Sequence, residues 1–206
     1  MSGRPPGEGL SRRGLFSAVG AAVGAITLTQ VGGTLEPLKE LALLSPRRPD
    51  VGPQSFPVNR TARSADVVAA ATSTDYRLVV EGRVPEPLEL TLADLQSLPQ
   101  TDAELAIACV EGWSASAVWS GIRVRDLLRA AGADTDRRVQ VRSLQPRGNF
   151  RNSELDRARV QDPLSLLALR LRGEPLHLDH GFPVRLIAPN RPGVLQTKWV
   201  HRVVVL

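Results

Sequence analysis

The 206-residue sequence has a single cysteine, a single tyrosine and a single methionine, and each scarcity removes a class of chemistry. One cysteine makes no intramolecular disulfide, no iron–sulfur cluster on cysteines and no C-x-x-C-H haem attachment. Any electron-transfer centre not bound at Cys109 is therefore non-covalent or carried by another protein. Aromatic side chains are sparse, with three Trp and four Phe beside the lone Tyr76. The net charge of +5 comes from arginines scattered among acids rather than from a basic stripe studded with aromatics, which excludes a nucleic-acid partner. No internal repeat is present. The length suits one domain with a real core and an appended segment.

The longest mildly apolar run lies near the start. Ser11-Arg12-Arg13-Gly14-Leu15-Phe16 precedes an Ala/Gly/Val/Ile stretch that ends about Val31. Paired arginines before such a stretch are similar to a twin-arginine export signal, and about seventeen apolar residues are also at the short limit for a membrane anchor. Residues 1–35 are thus expected to be a signal or an anchor. Either places the rest of the chain on the extracytoplasmic face of a bacterial membrane. Residues 36–75 hold Pro37, Pro46, Pro49 and Pro53 and read as an extended linker.

From Tyr76 onward short strands and short helices alternate, which argues for an α+β domain of packed mixed sheets. Tyr76–Glu81 alternates as a strand, and Leu88–Leu90 continues in extended form. Thr91 caps a helix over Leu92–Ser97 with Asp94 in its first turn. Leu105–Ala108 is a buried strand, and Trp119–Ile122 reads as a turn. Val124, Leu127, Leu128 and Ala131 recur at helical spacing up to a Gly132 stop. Arg137–Leu144 alternates as a strand with Val139, Val141 and Ser143 on one face. Residues 145–161 are expected to be an irregular surface loop, and 163–168 a short helix. Leu169–Leu178 reads as a hairpin, and Phe182–Ala188 and Lys198–Leu206 as strands.

Cys109 ends an apolar run and opens the polar turn Val110-Glu111-Gly112-Trp113-Ser114. A soft sulfur on a rigid strand that faces polar groups suits a metal, and a buried apolar thiol is the ordinary alternative. Glu111 reads as a hydrogen-bond acceptor near such a site or as a turn cap. Trp113 reads as a pocket wall or as a core residue.

Two blocks of sequence, CVEGWS followed by WSGIRVRDLLRAAGA (residues 109–114 and 119–133) and LDHGFPVRLIAPN...QTKWVHRVVV (residues 178–205), resemble the oxidoreductase molybdopterin-binding domain. That is the sulfite-oxidase-like fold, and the first block is most similar to its bacterial methionine-sulfoxide-reductase branch. The resemblance implies molybdopterin, the molybdenum cofactor, with the metal held by dithiolene sulfurs and by Cys109 as a thiolate. It implies that His180 and Arg185 contact the pterin from either side of a stiff turn. Gln196, Thr197 and Lys198 follow eleven to thirteen residues after Arg185 and correspond to further cofactor contacts. Ser143 corresponds to a pterin-contacting hydroxyl or is a plain strand-end serine. Asn59, Arg60 and Thr61 loosely match a pterin-contacting segment or form a solvated loop.

The departures from the family pattern shape the functional expectation. Classical sulfite oxidases place arginines directly after the cysteine and a tyrosine near the metal. Here Val110, Glu111 and Gly112 follow Cys109, and Tyr76 lies on an early strand. The matched region ends at Leu206 with no dimerisation domain behind it, so a monomeric core is expected. The expectation is oxo transfer that reduces an S- or N-oxide, with a membrane haem or quinone-linked protein as electron partner. Oxidation of the oxyanion sulfite on the same fold and a non-catalytic molybdopterin-binding module are the alternatives.

Overall fold

In the computed structural model, residues 51–206 are described except Val110 and Glu111. The signal or anchor segment 1–35, residues 36–50 of the linker and Glu111 lie outside the described residues. In chain order the elements are α1 (Val68–Ala71), β1 (Leu78–Gly82), β2 (Leu88–Leu90), α2 (Leu92–Ser97), β3 (Thr101–Ala108), β4 (Ser114–Arg123) and α3 (Val124–Ala130). They continue as β5 (Val139–Ser143), β6 (Asn152–Leu155), α4 (Arg157–Gln161), β7 (Leu166–Leu171), β8 (Glu174–Pro175), β9 (Arg185–Ile187) and β10 (Val200–Val205). This is the α+β arrangement expected, with mixed sheets and short helices.

One sheet runs β2-β1-β10-β5-β6, and the other runs β3-β4-β7-β8 with β9 also paired to β7. The last strand sits in the middle of the first sheet, parallel to β1 and antiparallel to β5. Period-two alternation explains how both sheets serve one core. Leu78 and Val80 of β1, Val139 and Val141 of β5, and Val203 and Val205 of β10 meet Leu167 and Leu169 of β7 and Leu186 of β9. Val124, Leu127 and Leu128 of α3 close the same cluster. The opposite residues of β7, Leu166, Ala168 and Leu171, join a second cluster with Phe56, Trp113 and Trp119. Trp119 and Leu166 are fully buried there.

Local signals read correctly where they were strong. Thr91 Oγ1 accepts from the Asp94 N–H at 3.0 Å while Asp94 Oδ2 accepts from the Thr91 N–H at 2.9 Å, a complete capping box on α2. Gly132 stops α3 with a left-handed φ of 67°.

Three expected elements are corrected. Trp119–Ile122 is not a turn but the second half of β4, paired with β3 and β7. Its Gly121 marks a close approach: a β-carbon there would stand 2.2 Å from the Leu167 carbonyl oxygen. Residues 163–168 do not form a helix, because Leu166–Leu171 is β7, paired at its edges with β4 and β9 and, Arg170 apart, buried on both faces by the two core clusters. A strand covered on both sides is apolar at every position, which mimics helical spacing in a short window. The expected loop 145–161 contains β6 and α4. Asp156 caps α4 through the Arg159 N–H at 2.9 Å, and only Ser153 and Leu155 of β6 are buried.

Candidate cofactor and active site

The β3–β4 hairpin presents Cys109. The strands stay in register from Thr101↔Gly121 to Ala108↔Ser114. The connecting turn closes where the Cys109 N–H donates to the Trp113 carbonyl at 2.9 Å and the Gly112 N–H to the Cys109 carbonyl at 3.1 Å. Gly112 takes φ 85°, a conformation that favours glycine. Trp113 packs in the core, edge-on to Phe56 at 6.1 Å. Cys109 is half-buried and opens onto a cleft lined by Glu104, Ala106, Asn190 and Arg191 among others.

The second sequence block supplies the positive charge. His180 ends a short 3-10 turn, and Gly181 follows it in a left-handed conformation at φ 111°. A β-carbon on Gly181 would stand 3.1 Å from Lys198 Cα and 3.2 Å from Arg185 Cβ. The glycine therefore lets the Arg185 and Lys198 backbones converge. Arg185 Nη1 donates to the His180 carbonyl at 3.1 Å, and its guanidinium lies 5.2 Å from the Trp119 ring centroid. Lys198 Nζ donates to the carbonyls of Asp179 at 2.7 Å and Arg60 at 2.9 Å. Both cations are buried, and among the described residues neither has a carboxylate within ion-pair distance.

Burial pulls each of these groups toward neutrality. Desolvation lowers Arg185 to about 9, and desolvation with the Arg185 charge holds Lys198 well below the usual lysine range. The charge of Asp179 opposes that drop. Desolvation lowers His180 to about 4, which leaves the imidazole neutral. Its Nε2 lies 2.7 Å from the Pro53 carbonyl, an obligate acceptor, so Nε2 carries the proton. Nδ1 is then a buried acceptor with no partner among the described residues.

The remaining expected residues fall around this centre with different roles. The Ser143 hydroxyl donates to the Lys198 carbonyl at 2.7 Å and accepts from the Gln145 N–H at 3.2 Å, so it steadies the lysine backbone. Thr197 Oγ1 shares a 2.6 Å hydrogen bond with Ser153 Oγ. The Gln196 amide is spent on the main chain of Ala188, accepting its N–H and donating to its carbonyl at 2.8 Å each. Asn59, Arg60 and Thr61 are exposed, yet the segment is tied to the centre through the Arg60 carbonyl and through the Ala62 N–H, which donates to Asp179 Oδ1 at 2.7 Å. Tyr76 lies apart, its hydroxyl donating to the Val200 carbonyl at 2.5 Å.

Two features escaped the sequence. Residues 53–56 strap the site: Pro53 holds His180, and Phe56 stacks edge-on against Trp113, Trp119 and His180. A proline-rich stretch signals only a linker, so no local cue pointed there. Arg191 lines the Cys109 cleft while 7% exposed. A charge between Pro189 and Pro192 reads as a solvated turn until the fold covers it.

A set of three or more His, Cys, Asp or Glu side chains able to hold a metal is absent among the described residues. A metal at Cys109 therefore needs most of its ligands from a cofactor. The buried, unneutralised Arg185 and Lys198 suit a phosphate-bearing one, and His180 Nδ1 offers an acceptor to a ring N–H.

Comparison with known proteins identifies the family. The model of the oxidoreductase molybdopterin binding domain matches residues 65–206. Mitochondrial sulfite oxidase of Drosophila melanogaster is 34% identical over 156 residues, which cover 64% of this chain and 27% of that protein. A putative protein-methionine-sulfoxide reductase subunit, YedZ1 of Azospira oryzae, is 33% identical over 140 residues, 68% of this chain and 52% of that one. The chain thus spans between about a quarter and a half of the length of these relatives. Among solved structures, the sulfane dehydrogenase SoxCD from Paracoccus pantotrophus superposes with a TM-score of 0.59 at 26% identity, covering 64% of this chain and 38% of that one.

Proposed function

This chain belongs to the oxidoreductase molybdopterin-binding domain family, and from that premise we propose that it catalyses oxo transfer at a molybdenum centre ligated by Cys109. Its substrate is a small S- or N-centred oxide or oxyanion, and reduction of an S- or N-oxide is the working direction. The observation that carries the reading is a half-buried Cys109 at the end of β3, in a chain that also buries two cations, Arg185 and Lys198, without a carboxylate partner among the described residues.

Molybdenum bound there supplies two-electron oxo chemistry, and the chain's own residues bind, orient and enclose it. Arg185 and Lys198 would hold the phosphate end of the cofactor. His180, its tautomer set by Pro53, would offer Nδ1 as an acceptor to the pterin. Phe56, Trp113 and Trp119 form part of the core cluster that Cys109 packs against. Reduction of an oxide takes up two electrons and two protons and releases water, so the chain needs an electron donor. A membrane haem or quinone-linked protein fills that role on the extracytoplasmic face, reached through the twin-arginine-like segment.

Elemental analysis of protein purified from a host that makes the cofactor is expected to find one molybdenum per chain. Cys109→Ser is expected to abolish viologen-coupled oxide reduction while the domain stays folded. Wild-type turnover in that variant, with unchanged molybdenum spectra, sinks the proposal. Replacing both Arg12 and Arg13 with Lys is expected to strand the chain in the cytoplasm, and unaltered export favours a simple anchor.

A further inference from the structure

We propose that Gln196 is the positioning residue of the Cys109 cleft: its side-chain amide locks the 188–196 loop into one wall, and so acts on the seating of substrate and not on cofactor retention. The inference rests on the reading of Cys109 as the metal ligand. It reassigns a residue that the family resemblance gave to the cofactor.

The Gln196 side chain has no donor left for a pterin. It is 2% exposed. Its Oε1 accepts the Ala188 N–H at 2.8 Å, and its Nε2 donates to the Ala188 carbonyl at 2.8 Å and to the Arg191 carbonyl at 3.4 Å. A primary amide has two N–H donors, so both are committed to main chain eight and five residues upstream. The pair of bonds on Ala188 replaces what a neighbouring strand would give, just where β9 has ended at Ile187. A side chain thereby closes the base of the loop as a ladder rung closes a hairpin.

That loop carries one side of the cleft. Pro189, Asn190 and Pro192 line it together with Ala106, Ala108 and Cys109. β3 is the edge strand of its sheet, and the loop covers the end of that edge where Pro192 bridges Ala108 in parallel. Gly193 permits the approach, since a β-carbon there would stand 3.0 Å from Ile107 Cγ2 and 3.1 Å from the Ala108 carbonyl oxygen. The Arg191 side chain ties the loop to another element, its Nη1 donating to the Glu154 carbonyl of β6 at 2.6 Å. Of these attachments only the Gln196 amide closes the loop on itself. Removing it strips the Ala188 main chain, 1% exposed, of both partners and lets the wall drift from Cys109.

The test compares Gln196→Met, which keeps the volume and loses the bonds, with Gly193→Ala. The second variant pushes the same loop off β3 from a position with no side chain to lend a cofactor. Tyr76→Phe, which loses a buried hydrogen bond to Val200 of the other sheet, is the control. In the cofactor-free chain, alkylation by iodoacetamide reads access to Cys109, the sole cysteine. In the molybdenum-loaded chain, viologen-coupled reduction of dimethyl sulfoxide gives kcat and KM, beside molybdenum content. Gln196→Met and Gly193→Ala are each expected to alkylate about tenfold faster, the effect of one buried hydrogen bond lost. Both are expected to raise KM more than they lower kcat, with molybdenum content retained. Tyr76→Phe is expected to match wild type in both assays. Wild-type alkylation and KM in Gln196→Met overturn the inference, and so does equal acceleration in Tyr76→Phe, which marks general loosening. Molybdenum lost from Gln196→Met with KM intact in the loaded fraction overturns it too, by returning Gln196 to the cofactor. A wild-type chain that holds no molybdenum overturns the functional reading instead, while alkylation of the cofactor-free chain still decides whether Gln196 fixes the wall.

Discussion

Gly181 and Lys198 touch so closely that a β-carbon on the glycine would lie 3.1 Å from both Cα and Cβ of the lysine. The contact joins the turn after His180 to the strand-entry segment that carries the second cation, and Trp199 continues it by donating its N–H to the Gly181 carbonyl at 3.3 Å.

Gly181→Ala is therefore expected to act twice. The φ of 111° strains any side chain, and the lysine backbone must give way. The cost is about 1–3 kcal/mol of stability, read by urea unfolding. Cofactor retention falls as well, because Arg185 and Lys198 separate. A variant as stable as wild type with full molybdenum content contradicts the contact.

Lys198→Met and Arg185→Gln should each cost more in cofactor retention than in fold stability. Each cation is buried without a carboxylate partner among the described residues, so its charge stabilises little until the phosphate arrives. Losing one charge-assisted contact to phosphate costs about 1.5–3 kcal/mol. Molybdenum and pterin content after dialysis measure the loss. Wild-type occupancy in both variants speaks against a phosphate anchor.

His180 makes the cofactor-free domain sensitive to acid. Its pKa is lowered from 6.5 to about 4 by burial, so the unfolded chain takes up the proton well before the folded one does. The stability it contributes is present above pH 6.5 and is lost as pH falls toward 4. A shift of this size corresponds to on the order of 3 kcal/mol. Urea midpoints between pH 7 and 4.5 should show this slope in wild type and a shallower one in His180→Gln. Parallel curves for the two proteins would rule the assignment out.

Gly121→Ala tests the correction at β4. A methyl there would meet the Leu167 carbonyl oxygen at 2.2 Å and Ala168 Cα at 2.6 Å, both main-chain atoms of the neighbouring strand. The β4–β7 ladder has to open, at a cost above about 3 kcal/mol, seen as a lowered urea midpoint. A glycine serving a mere turn between Trp119 and Ile122 would tolerate alanine for a few tenths of that.

What could be read from the chain alone depended on local physics. The capping box at Thr91 and Asp94, the α3 spacing that ends at Gly132 and the alternation of Val139, Val141 and Ser143 each rest on residues a few positions apart. The cysteine turn and the His180–Arg185 and Gln196–Lys198 spacings were legible too, because a resemblance to known sequences travels with contiguous words. Sequence order alone left other parts ambiguous. The stretch 163–168 looks helical until β4 and β9 take Leu166–Leu171 as a strand and two core clusters cover its faces, and Gly121 looks like a turn until the Leu167 carbonyl occupies the space of its β-carbon. Gln196, expected to contact the cofactor, has its amide engaged by the Ala188 main chain. Arg191 becomes a buried charge only where the Pro189–Pro192 turn folds beside Cys109. The physical reason is common to all four. Propensity and spacing are properties of neighbours in sequence, whereas burial, close backbone approach and the satisfaction of polar groups depend on what distant segments bring to the same place.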